Sequence, residues 1–300
     1  GSESPATSWF LESMRASRLL GWLEEHVLEP LAERVDALMA HLFHERSRPL
    51  RARARGGFTI LGALLAGAVL YGAFLAAGML AQVQAQQWMG ILLGLLATLA
   101  RVWAALLIAL AVTLPLGVGI GLNQRLSRLL LPVVQVLASI PSTALFPVVL
   151  LALLKLPGGL AVAAVLLMLM GSVWYLLFNV MAGASAIPQE LKSISAILGF
   201  GSLERWRTLY LPALFPYLIT GSITATGGAW NASIVAEYVL FSGDYVSTTG
   251  LGSTIAQATA AGDYPQLLAA TMVMVLTVVG FNRFFWRRLY RLAAERFVME

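Results

Sequence analysis

Residues 187–212 read IPQELKSISAILGFGSLERWRTLYLP. They follow an apolar run at about 159–181 and lead into another at about 210–240. Pro188 suits the first turn of a helix, and Gln189 and Glu190 suit its positive N-terminal end. Leu191, Ile194 and Leu198 fall on one face at helical spacing. Gly199 is a residue that ends helices. The pattern predicts a short amphipathic helix in a polar loop, about 182–209, between two membrane spans. A helix placed there fits a groove on a soluble partner.

Outward from this loop the chain is apolar. Of its 300 residues 59% are hydrophobic and 12% charged, whereas a soluble domain carries roughly 25% charged residues. A spanning helix needs ~20 apolar residues. Six segments qualify, at about 58–81, 91–122, 129–154, 159–181, 210–240 and 265–286. The second contains Pro115, which predicts a kink. The expected fold is an all-α membrane protein of about six transmembrane helices. With no cysteine in the chain, disulfides and thiolate metal sites are excluded.

The sequence pI of 9.8 does not point to nucleic acid, because the arginines sit at the ends of apolar runs. With the N-terminus inside, the inner segments hold Arg46 to Arg55, Arg125, Arg128, Lys192, Arg205, Arg207 and Arg283 to Arg296. The outer loops hold only Lys155, with Asp244 and Asp263. Both termini are therefore expected in the cytoplasm. Arg101 is the exception, in the outer half of the second span, where it either snorkels outward or pairs with a buried acid.

Residues 1–8 are polar and predict no signal peptide at this end. Residues 9–50 hold all three histidines, with Leu20, Leu23, Val27, Leu31, Val35, Leu38 and Leu42 at steps of three and four. They read as an amphipathic helix on the membrane surface or a partner, or as a solvated extension. The expected division is 1–56 for this extension and 57–300 for the membrane domain. His41, His44 and Glu45 are close enough to suggest a metal, but solvated surface histidines are the plainer reading.

The loop 187–212 resembles that of the binding-protein-dependent ABC importer permeases. Their pattern is Glu-Ala-Ala, three residues, Gly, nine residues, Ile, one residue, Leu-Pro. Gly199, Leu211 and Pro212 match its spacing, and Leu209 stands where Ile is usual. Ser193, Ile194 and Ser195 stand in place of Glu-Ala-Ala, so the acid is lost. Residues 140–147 (IPSTALFP), Ala236-Glu237-Tyr238 and Thr249-Gly250-Leu251-Gly252 resemble the nitrate/sulfonate/taurine/bicarbonate branch. The resemblance covers about 90–290 and implies the type I importer fold and an inner-membrane location. It implies an ATPase contact through Glu190, Leu191, Ser193, Ile194, Ser195, Leu198, Gly199, Leu211 and Pro212. It further implies a separate ATPase subunit carrying ATP and Mg, a second permease domain, a periplasmic solute-binding protein, and a small oxyanion as solute.

The residues themselves agree that nucleotide chemistry lies elsewhere. Lys192-Ser193 lacks the glycine framework of a phosphate loop, and Lys155 is followed by Leu156. No Ser/His/Asp or paired-carboxylate arrangement stands out, so intramembrane hydrolysis is not expected, and the resemblance implies a transport subunit with no cofactor of its own. Polar groups inside spans are expensive and mark candidate pathway positions. Gln135, Ser139, Ser142 and Thr143 follow one another near Pro141 and Pro147, and Asn231 and Glu237 lie in the fifth span. Interhelical hydrogen bonding is the alternative for the first four. For Glu237 it is a headgroup position or a pair with Arg101. A channel or secondary transporter, and a degenerate permease half acting as a scaffold, remain competing functions. Trp174, Asn179 and Trp230 are weaker pathway candidates.

Overall fold

The computed structural model describes residues 50–296. The expected amphipathic helix at 9–50 and the pair His41 and His44 lie outside them. The chain divides into two compact units, residues 1–74 and 75–300, and the architecture that follows is that of the second.

Each of the six apolar segments is helical. Helix α1 is Leu50–Leu80, α2 is Ala85–Gly121, α3 is Gln124–Ala138 and α4 is Ser142–Leu153. Helix α5 is Gly159–Ala186, α6 is Gln189–Ile197 and α7 is Ser202–Arg205. A π-helical turn at Trp206–Tyr210 leads into α8, Leu211–Glu237. Strands β1 (Tyr238–Phe241) and β2 (Asp244–Ser247) follow, then α9, Leu251–Ala261. Helix α10, Tyr264–Phe281, continues through a π turn at Asn282–Trp286 into α11, Arg287–Arg296.

Among the described residues three helical stretches are each long and apolar enough to cross a membrane: Ala85–Gly121, Gly159–Ala186 and Tyr264–Ala293. The pair α3 and α4 makes a fourth if it is one bent span. Helix α8 has 27 residues, but Thr220, Ser222, Thr224, Thr226, Asn231 and Ser233 dilute its hydropathy. In α1 the apolar stretch is Leu64–Leu80.

Two expectations need correction. The segment 129–154 is not one straight helix: it is broken between Ala138 and Ser142 with a bend of 78°. Pro141 supplies no N–H and starts α4 from an extended conformation, so the ladder cannot run through it. The fifth span stops at Glu237 rather than 240. Tyr238-Val-Leu-Phe241 is rich in strand-forming side chains and pairs antiparallel with β2, Phe241 opposite Asp244. Ser242 and Gly243 make the turn, both with positive φ (53° and 92°), as the favoured two-residue hairpin requires.

Helix α5 is the centre of the bundle, packed along α8 and α2 and crossed by α4. The close approach to α2 depends on Gly121, where a Cβ would lie 2.6 Å from the Met181 carbonyl oxygen. The main core joins Val102, Phe146, Leu150, Leu167, Met168 and Trp230. Helix α9 is not a span. It packs against α2, α8 and α10 and buries Leu251, Ile255 and Ala258.

Candidate solute pathway and coupling surface

Helix α6 keeps the expected amphipathic form, but its apolar face is uncovered. Leu191, Ile194, Ile197 and Leu198 are all exposed, Ile197 the most at 83%. Its end is a Schellman turn: the Gly199 N–H donates to the Ala196 carbonyl at 3.1 Å and the Phe200 N–H to that of Ser195 at 3.1 Å. Gly199 has φ +69°, a left-handed conformation in which a Cβ is strained. Glu190 and Ser193 are exposed beside this face. Ser195 is not: it is buried, and its hydroxyl donates to the Lys192 carbonyl at 2.7 Å. Leu211 and Pro212 belong to the start of α8.

At the other end of α8, Glu237 is fully buried. Arg101 Nη1 donates to its carboxylate at 2.7 Å. The Thr98 hydroxyl lies 2.7 and 2.9 Å from its two oxygens. The Gly252 N–H donates to it at 2.9 Å. Arg101 Nη2 donates to Thr248 at 3.0 Å, and the Leu251 N–H to Thr98 at 2.8 Å. One carboxylate thus ties α2, the hairpin exit and the N-terminus of α9, where a negative charge is favoured. Of the two readings of Glu237, the structure shows the pair with Arg101. The group is enclosed.

The bend between α3 and α4 opens a cleft of about 310 Å³. Ser139 and Ser142 line it with Gly171, Trp174, Tyr175 and Phe178. Gln135 and Thr143 are exposed and do not line this cleft. Asn231 lines a separate groove of about 300 Å³ between α8 and α10. Beyond the expected residues, Thr220 and Thr224 are also exposed and polar. They lie on one face of α8 with Asn231, at steps of four and seven. That spacing was readable in the sequence. Gly228, beside this stripe, meets α5: a Cβ there would lie 3.0 Å from the Gly171 carbonyl oxygen. The stripe thus lies between the α5 contact and the α8–α10 groove.

Among the described residues no cluster of His, Cys, Asp and Glu could hold a metal ion.

Comparison with known families gives a match over residues 111–296 to the binding-protein-dependent transport system inner membrane component. The chain belongs to this family. The matched part includes the bend, the cleft, α6 and the buried pair's Glu237. The bicarbonate transport permease CmpB of Synechococcus elongatus is 32% identical over 145 residues, 48% of this chain and 51% of CmpB. The nitrate import permease NrtB of a Synechocystis species is 27% identical over 191 residues, 64% of each chain. The chain spans about half the length of CmpB that it matches. Among solved structures, a chain of the inward-facing MetNI methionine ABC transporter aligns with a TM-score of 0.58 at 20% identity. That alignment covers 70% of this chain and 99% of the other. At that identity the likeness concerns the fold, which is that of an ABC importer permease.

Proposed function

We propose that this chain is the transmembrane permease subunit of an ABC importer, coupled through residues 188–212 to a separate ATPase subunit. The observation that carries it is α6, a short helix with an uncovered apolar face inside the family-matched region. An amphipathic helix held rigid by a glycine turn is suited to insert into a groove on a soluble partner. ATP and Mg belong to that partner. Glu190 and Ser193 flank the contact. Ser193 supplies a hydrogen-bonding group where the family has a carboxylate, so docking rests on apolar burial by Leu191, Ile194, Ile197 and Leu198. Ser195, Gly199, Leu211 and Pro212 hold the lever's shape.

The pathway in this reading runs along Ser139, Ser142, Trp174, Thr220 and Thr224. A second permease domain, from a second copy or a homologous chain, completes it, and a solute-binding protein delivers to the hairpin side. The proposed solute is a small oxyanion such as nitrate, sulfonate, taurine or bicarbonate. The names of CmpB and NrtB support that class. Arg101 is engaged by Glu237, so the pathway offers hydroxyl and aromatic groups in place of a fixed cation. Such neutral donors hold an oxyanion weakly enough to release it.

The test is reconstitution in liposomes with the ATPase subunit and the binding protein. Bicarbonate or nitrate uptake should require ATP hydrolysis and fall when Ser142 is replaced by Val. Uptake without nucleotide would indicate a channel or secondary transporter. ATPase stimulation with no uptake would indicate a scaffold.

A further inference from the structure

We propose that the α10–α11 junction carries a binding site for an anionic phospholipid. Asn282, Arg283, Arg287 and Tyr290 line a cavity of about 390 Å³ with Ile223 and Val279. Arg283 and Arg287 are exposed, and among the described residues neither has an acidic partner within ion-pair distance. Their orientation is fixed from behind. Trp103 stacks on Trp286 at 6.3 Å and meets Phe285 edge-on at 5.5 Å, and Trp286 is buried. The π turn therefore presses its aromatic face into the bundle and turns the arginines outward.

The second observation is what lies beside the cavity. Val279 also lines the groove between α8 and α10, whose walls are apolar (Trp230, Ile234, Met274, Val275 and Val278) apart from Asn231. Basic cavity and apolar groove thus adjoin at Val279. Val275 and Arg283 are eight residues apart, about 12 Å along a helix. A double-cation seat that opens onto such a groove matches a phosphodiester headgroup with one acyl chain, whereas a free anion would use only the seat. Basic pockets between spanning helices bind acidic headgroups in this way. The inference rests on the membrane-spanning character of Tyr264–Ala293 and not on transport, so its failure leaves the permease reading untouched.

The experiment uses the full chain in nanodiscs and detergent, with phosphatidylglycerol as probe against phosphatidylcholine. Phosphatidylglycerol should bind preferentially, and Arg283→Gln with Arg287→Gln should weaken it about tenfold to thirtyfold. Gly227→Leu should weaken it as well, because Gly227 lines the groove and a Cβ there meets nothing within 4 Å, so the fold tolerates it. Millimolar inorganic phosphate should not compete. Equal binding of both lipids, no effect of the arginine variant, or full competition by phosphate would each overturn the proposal. So would a Gly227→Leu variant that alters oligomeric state with lipid preference unchanged, since a second copy would then cover the groove.

Discussion

Glu237 is engaged from three sides, and its neighbours are shaped to leave it no slack. A Cβ on Gly250 would overlap its carboxylate. Removing one partner of a buried pair leaves an uncompensated charge, at a cost of about 3–5 kcal/mol. Arg101→Met should therefore destabilise the protein by about that amount in thermal or denaturant unfolding in detergent. Adding Glu237→Gln to Arg101→Met should recover part of the loss, because the orphaned charge disappears. If the double variant is worse than the single by the full cost of Glu237→Gln alone, the two groups do not couple. Gly250→Ala should cost about 1–3 kcal/mol through overpacking. Gly119→Ala, with open space around it, should be neutral or slightly stabilising. Both charges were visible in the sequence as costly groups within apolar runs. Their partnership was one of the readings the sequence left open, and nothing local decided it, since 136 residues separate them.

Helix α6 shows how much of an element can be read locally. Pro188, the three-four spacing and Gly199 placed its start, face and end, because caps and helical periodicity are short-range properties. What spacing did not rank was exposure: Ile197, outside the expected set, is the most exposed of the four apolar residues. Ile197→Asp should leave thermal stability within about 0.5 kcal/mol and abolish co-purification with the ATPase subunit. Retained association would remove α6 as the contact. The break in 129–154 and the hairpin after Glu237 went unread for a different reason. Hydropathy averaged over a span is blind to a three-residue interruption, and Tyr238-Val-Leu-Phe241 is as apolar as the helix before it. The Ser242-Gly243 pair was the available signal. Ser242→Gly should stabilise the hairpin by about 1 kcal/mol, by relieving a side chain held at positive φ, and hydrogen exchange of β1 and β2 would report it.

At the scale of the whole molecule, the distribution of charge is the feature that bears on orientation. Lipid interiors tolerate apolar surface, so composition exposed the membrane class at once, but the arrangement of the helices depends on contacts far apart in sequence. The charge bias is global and survives without those contacts: arginines gather at the α3 start, the α6–α8 loop and the α10–α11 junction, while the hairpin and α9 carry Asp244 and no basic residue. From the positive-inside rule we propose that α6 lies in the cytoplasm and the hairpin outside. The absence of cysteine makes this directly measurable, since any introduced thiol is unique. Ser193 and Ser242 are both exposed, and they lie at opposite ends of this arrangement. In spheroplasts, Ser242→Cys should react with a membrane-impermeant maleimide and Ser193→Cys should not. In inverted vesicles the pattern should reverse. Labelling of Ser193→Cys from outside would put α6 beyond reach of a cytoplasmic ATPase, and the coupling role assigned to residues 188–212 would fall with the orientation.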